Sequence, residues 1–258
     1  MPTGKCKLCN SDKELKDSHS IPNAMFHRIL KANNGSAITF QDDAKSRVRR
    51  SSDSWSEYLL CADCERFLNE EYEQYSISVL RNALNSVAIS KHKSGVTFES
   101  LDGERFQLFL ISIMWRAAVS SLEVYSKVEL RQRWAEEIRD GLLNHRKIRA
   151  NLVETRISRL HDKTQNGYTS EELKNILVSP FLRRHEKSIS YCFLLEGFFV
   201  EFLLPGSELK DGNESGMIRP NKGVLLIPYI DIFNIPEVVN LMATALGKHF
   251  NGRSTIKS

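Results

Sequence analysis

The sequence predicts an α+β fold, and three observations carry that expectation. Four of the five cysteines fall into two Cys-x-x-Cys pairs, Cys6/Cys9 and Cys61/Cys64, which suits one tetrahedral zinc site in an N-terminal module. After the second pair, apolar residues recur at helical spacing up to about Asn144. Beyond about residue 150 the pattern changes to strand-like apolar runs separated by turn residues, and one more helical segment closes the chain. The expected order is a zinc-binding N-terminal module, a helical middle, a small antiparallel sheet and a C-terminal helix, divided into residues 1–92 and 93–258.

The first twenty residues read as a knuckle and a short hairpin around Cys6 and Cys9. Pro22 to about Ala32 reads as a helix, with Pro near its first turn and Met25, Phe26, Ile29 and Leu30 on one face. Asn33-Asn34-Gly35 stops it. Residues 34–56 are polar and basic, a loop with one short strand at Ala37–Phe40. Tyr58-Leu59-Leu60 leads into the second pair, inside which a helix begins and runs to about Ser90. Phe67, Tyr75, Val79, Leu84 and Val87 are its apolar positions, and Glu70, Glu71 and Glu73 favour its early turns. Phe106–Ser120 is apolar on most sides and reads as a buried helix; Glu129–Asn144 is amphipathic.

Strands are expected at Leu152–Leu160, Ile176–Leu182, Ser188–Leu195, Phe198–Leu204 and Val224–Ile230, with a tight turn at Glu196-Gly197. Leu204-Pro205-Gly206 ends the hairpin, Ser207–Lys222 reads as a loop, and Pro236–Phe250 is the final helix.

A formal net charge of +4 permits an anionic partner without demanding one. The polar start, Met1–Asn10, does not resemble a signal peptide, and the longest apolar stretches are too short or too interrupted to span a bilayer. A cytoplasmic chain with reduced thiols is the expectation. There, paired Cys-x-x-Cys reads as metal binding rather than a disulfide framework. A redox pair, or two unrelated pairs, is the competing reading; neither pair sits in a thioredoxin-like βαβ pattern. A knuckle, a hairpin and a second knuckle opening a helix make a treble-clef arrangement, here with a long insertion between Asn10 and Leu60. Cys192, in an apolar strand, reads as a small buried hydrophobe.

Cys6-x-x-Cys9, then Ser18-His19-Ser20-Ile21-Pro22, then Leu60-Cys61-x-x-Cys64 resemble the zinc-bearing HNH (His-Me finger) endonucleases. More narrowly, they are similar to a group of bacterial proteins with a Ser-His-x-Ile-Pro signature, encountered among phage-defence genes. Ser112-x-x-Trp115-Arg116-Ala117, within Leu108–Ala118, resembles a helix of that group. The resemblance implies metal-assisted hydrolysis of DNA phosphodiester bonds, with His19 as general base and one Mg²⁺ or Mn²⁺ separate from the structural zinc. It further implies a role in antiviral defence and a partner protein such as an ATPase subunit.

Two positions depart from the family. Ser18 stands where Asp or His usually binds the catalytic metal, and Glu65 stands where His or Asn is usual. Glu65 is therefore the metal ligand to which the resemblance points, with Asn69 one turn further on the same face. Asp17 is one residue from Ser18, a slip that points to the other face of a strand. The bland readings stand beside these: His19 as a hydrogen-bonded structural histidine, and Glu65 as a first-turn acid favouring the helix dipole. On them the chain is a catalytically decayed zinc module that docks nucleic acid or a partner protein, or a pure assembly subunit.

Lys45, Arg47, Arg49 and Arg50 form the densest basic run, and their place between the two pairs should bring them near His19. They are candidates for phosphate contact, or a solvated loop. Arg116, inside a buried helix, needs an acidic or carbonyl partner that the sequence does not identify.

Overall fold

The computed structural model describes residues 2–39, 47–205 and 215–255. Strands β1 (Thr3–Lys5) and β2 (Asp12–His19) flank the first cysteine pair. Helix α1 (Asn23–Ala32), β3 (Ala37–Thr39) and β4 (Arg49–Ser51) form the insertion, and β5 (Ser56–Cys61) leads into α2 (Ala62–Leu68). A π-helical turn (Asn69–Glu73) joins α2 to α3 (Gln74–Leu80) without a break. β1, β2 and β5 form an antiparallel sheet in that order, and β3 pairs with β4.

A register shift between Lys16 and Asp17, which pair with Leu60 and Tyr58, marks a bulge with Leu59 as the extra residue in β5. It leaves Asp17 exposed and turns Ser18 inward. The Ser18 hydroxyl accepts from the Leu60 N–H at 3.0 Å and donates to the Lys16 carbonyl at 3.2 Å. That residue therefore stitches the bulge together.

The helix expected to continue to about Ser90 ends at Leu80. Asn82 takes a left-handed backbone (φ 54°), and the Ala83 N–H reaches back to the Ser78 carbonyl, a Schellman-type stop. The residues released form a hairpin, β6 (Ala88–Lys91) and β7 (Gly95–Glu99). Residue 92, the expected domain boundary, lies in the turn of this hairpin.

Helix α4 (Gly103–Val119) follows, capped by the Asp102 side chain, which accepts from the Arg105 N–H. Then come α5 (Gln132–Leu143), β8 (Glu154–His161), α6 (Ser170–Lys174), β9 (Phe181–Arg184), β10 (Ile189–Leu195), β11 (Phe198–Leu204), β12 (Val224–Asp231) and α7 (Pro236–Phe250). The strand expected at Ile176–Leu182 begins only at Phe181, as β9; residues 176–180 are irregular and follow α6, which begins at a Thr169/Glu172 capping box.

The sheet of this part has seven strands in the order β6-β7-β12-β8-β11-β10-β9. All its pairings are antiparallel except β12 with β8. β10 and β11 turn at Glu196 (φ 52°) and Gly197 (φ 77°), the two left-handed residues that a tight hairpin of this kind needs. One face of this hairpin, with Phe193, Val200 and Phe202, joins the core around α4. The other, with Cys192, Leu194 and Phe199, packs on Ile232, Ile235 and Val238.

The main apolar cluster runs from Cys6 and Leu8 through Phe106 and Leu110 to Phe202, so the cysteine-bearing module and the seven-stranded sheet share it. Polar links cross the same seam. The Ser20 hydroxyl donates to the Ile113 carbonyl at 2.8 Å, and Arg28 and Arg81 both pair with the buried Glu196. Among the described residues, no helix is long and apolar enough to cross a membrane.

Candidate metal centre and adjoining cavity

The first knuckle is a tight turn. The Asn10 N–H donates to the Cys6 carbonyl at 2.9 Å, Asn10 is left-handed (φ 59°), and the Cys6 N–H reaches the Ser11 carbonyl. The Lys7 N–H donates to the Leu59 carbonyl at 3.1 Å, which docks the knuckle onto β5. Cys61 ends β5 and caps α2, and Cys64 sits in the first turn of α2. The Cys61 N–H points at the Cys6 sulfur, 3.3 Å away.

All four sulfurs lie within 4.8 Å of one another, and Cys9 and Cys61 Sγ are 3.9 Å apart. Tetrahedral zinc with Zn–S near 2.3 Å requires sulfur separations of roughly 3.8 Å, so the quartet can hold a metal ion such as zinc. The Cys64 thiol bonds to Cys6, whose pKa is lowered to about 4, while the same contact pushes Cys64 up. The fold thus already favours thiolate at one ligand. Cys192 stands apart, buried, its thiol pushed up to about 12 by burial.

Beside this quartet lies a cavity of about 310 Å³. His19, at the end of β2, forms one wall with Pro22 and Asn23 of the α1 entry. Glu65, Arg66, Asn69 and Glu73 come from the helix opposite, and Arg116 from α4. The structure therefore brings together His19, Glu65 and Asn69, and adds Glu73 and Arg116. On an α-helix each four-residue step rotates a side chain by about 40°, so Glu73 would stand about 80° from Glu65. The π-helical turn is wider and rotates less per residue, which keeps Glu65, Asn69 and Glu73 on one face.

His19 Nε2 is 2.9 Å from the Ser54 hydroxyl. Ser54 is held in turn: the Trp55 N–H bonds the Asp53 carboxylate, and the Trp55 ring wedges edge-on between Phe26 and Tyr125. Burial lowers the His19 pKa, so the neutral ring is favoured. Burial raises the Glu65 carboxyl, with Arg116 opposing, and Glu65 Oε1 is buried with no hydrogen-bond partner.

Arg116 is 1% exposed. Its Nη2 donates to Glu73 Oε1 at 2.6 Å and its Nε to the Ser112 carbonyl at 3.4 Å. The partner that Arg116 needs is thus Glu73. The sequence carried a signal for it in the four-residue spacing of Glu65, Asn69 and Glu73.

Arg47, Arg49 and Arg50 are exposed, on and just before β4, four to seven residues ahead of Ser54. They do not line the cavity. Lys45 lies outside the described residues. Among the described residues, the cysteine quartet is the one close group of three or more His, Cys, Asp or Glu ligand atoms.

Fold and site together define an α+β chain with a four-cysteine metal-binding group beside a polar, histidine-walled cavity. Comparison with family models, curated proteins and solved structures yields no match for the chain.

Proposed function

We propose that this chain is a metal-dependent HNH-like endonuclease that hydrolyses DNA phosphodiester bonds. The observation that carries the reading is the meeting of His19, from the end of a strand, with Glu65 and Asn69, from the helix opened by the second cysteine pair, in one cavity. The N-terminal module is read as a treble clef whose zinc holds this strand and helix in place.

His19 is the general base. When Ser54 accepts the Nε2 proton, Nδ1 carries the lone pair that takes a proton from water, whose oxygen attacks phosphorus as the P–O bond to the leaving oxygen breaks. The unpartnered Glu65 oxygen and the Asn69 amide oxygen are a donor set for a hard cation that keeps waters and substrate phosphate as its other ligands. Bound there, Mg²⁺ or Mn²⁺ supplies charge stabilisation at the phosphate and leaving oxygen. Arg47, Arg49 and Arg50 are assigned to phosphate contact. A place in antiviral defence beside an ATPase-type partner follows from the motif resemblance alone, and a cytoplasmic place from the paired, reduced cysteines.

One observation favours a second reading, a decayed module that docks nucleic acid or a protein. The Ser18 hydroxyl is committed to the bulge, so the position before the base offers no ligand.

Plasmid DNA incubated with the protein and Mg²⁺ or Mn²⁺ separates the two. The expected result is nicking by the parent and a loss of roughly 10²–10⁴-fold with His19→Ala. Equal cleavage by both, or none by either, overturns the nuclease reading.

A further inference from the structure

We infer that the C-terminal segment Arg253–Thr255 forms, with Arg47 and Arg49, one ridge that binds the phosphate backbone of duplex DNA. This inference rests on the DNA-directed reading above and extends it to the far end of the chain.

Val48 is 3% exposed and bridges Ser254 in parallel. The Val48 N–H donates to the Arg253 carbonyl at 3.0 Å, and the Thr255 N–H donates to the Val48 carbonyl at 3.0 Å. Two segments about two hundred residues apart in sequence are therefore joined by an isolated parallel bridge.

Side chains alternate on extended backbone, and paired residues share a face. Val48 and Ser254 face inward, one buried and the other half-buried. Arg47, Arg49, Arg253 and Thr255 are exposed and stand on the opposite face. Three guanidinium groups thus crown one side of a two-segment ribbon, with Arg47 and Arg49 about 7 Å apart along it and the second segment about 5 Å to the side. That spacing is of the order of neighbouring phosphates on one nucleic-acid strand.

Guanidinium groups bind phosphate oxygens bidentately and carry no sequence preference in doing so. The ribbon continues through β4 to Asp53 and Ser54, and Ser54 holds His19. A backbone lying on the ridge is consequently directed toward the cavity.

The test uses the full chain in a His19→Ala background, so that cleavage does not intervene. Affinity for a fluorescent 20-base-pair duplex is measured across a salt series. Arg253→Gln is expected to weaken binding about three- to tenfold at low salt. It should also lower the slope of log K against log salt by roughly 0.9, the loss of one phosphate contact. Arg47→Gln should act alike, and Arg253→Lys should keep most of the slope.

An unchanged slope in Arg253→Gln overturns the ridge. So does an equal loss in Arg146→Gln, an exposed arginine after α5, because attraction would then follow overall charge. Retention on vesicles containing anionic lipid, with no DNA binding, overturns it in favour of a membrane surface. The ridge and the nuclease reading fail separately: plasmid nicking by the parent with an unaltered Arg253→Gln slope removes only the ridge. The predicted slope change with an uncut plasmid removes only the chemistry.

Discussion

The cysteine quartet and the cavity beside it share a helix, yet they are built in opposite ways. The quartet is local logic: two Cys-x-x-Cys turns, each closed by its own backbone, brought together by pairing across β2 and β5. The cavity is assembled from distant pieces, a strand end, a π-helical turn and a buried arginine 43 residues beyond its partner Glu73. A site of the first kind is readable from spacing and tolerates little. A site of the second kind depends on the whole core, and Glu65 Oε1 is buried in it without a hydrogen-bond partner.

The largest expected effect breaks the quartet. Structural zinc contributes folding free energy directly, on the order of 10 kcal/mol in small zinc modules at neutral pH. Cys6→Ser or Cys64→Ser should abolish bound zinc by elemental analysis and unfold the β1–β2–β5 module, read as a large fall in thermal midpoint. Cys192→Ser, in a different apolar cluster, should leave zinc content unchanged. A chelated protein that melts with the untreated one would show that the quartet is not structural.

Next in size is the pair that roofs the cavity. Glu73→Leu leaves Arg116 charged, buried and without its acid, a loss of about 3–5 kcal/mol. Glu73→Leu combined with Arg116→Met should recover most of that stability, because a buried ion pair replaced by apolar groups is often neutral. Urea unfolding of the four proteins in the cycle decides this, and additive losses would mean that Arg116 relies on another partner.

Glu65 offers a contrast in sign. Burial raises its pKa, so the folded state disfavours the ionised form. The resulting penalty is present above the raised value and is relieved as pH falls through it. Glu65→Gln should therefore make the protein more stable at pH 7 in the absence of divalent ions, with a flatter stability profile toward acid. If Mn²⁺ binds at Glu65, the same substitution should remove any stabilisation of the parent by Mn²⁺. A destabilised Glu65→Gln would mark the carboxylate as a structural first-turn acid instead.

The same contrast governs what the sequence made legible. Helix α7 begins at Pro236 and ends at Phe250 as its pattern implies, and β10 and β11 follow from continuous apolar runs around Glu196-Gly197. Each of these signals is local. The helix stop at Asn82 was local too, but a single left-handed asparagine is weak against the apolar residues Leu84 and Val87 that prolong a helical pattern. The β6–β7 hairpin, released by that stop, is hidden by the same apolar pattern. Periodicity does not reveal a parallel β8–β12 pairing, a cavity roofed by α4, or the choice of Glu73 by Arg116, since each is set by packing between distant segments. Motif position and helical spacing single out His19, Glu65 and Asn69, and these three line one cavity.

The smallest expected effect probes how the insertion serves the cavity. The Ser54 hydroxyl is the partner that fixes the His19 ring, and it reaches that place only because Trp55 is wedged between Phe26 and Tyr125. Ser54→Ala removes one hydrogen bond at a half-buried site, which should cost stability only about 1 kcal/mol. If His19 is the base, losing the group that sets its tautomer should lower the nicking rate by roughly 10- to 100-fold, as such supporting partners do elsewhere. Ser54→Thr keeps the hydroxyl and should restore most of the rate. Equal rates for Ser54→Ala and the parent, at equal zinc content, would mean that the ring is positioned by packing against Phe26 alone. The insertion would then act through its arginines and not through His19.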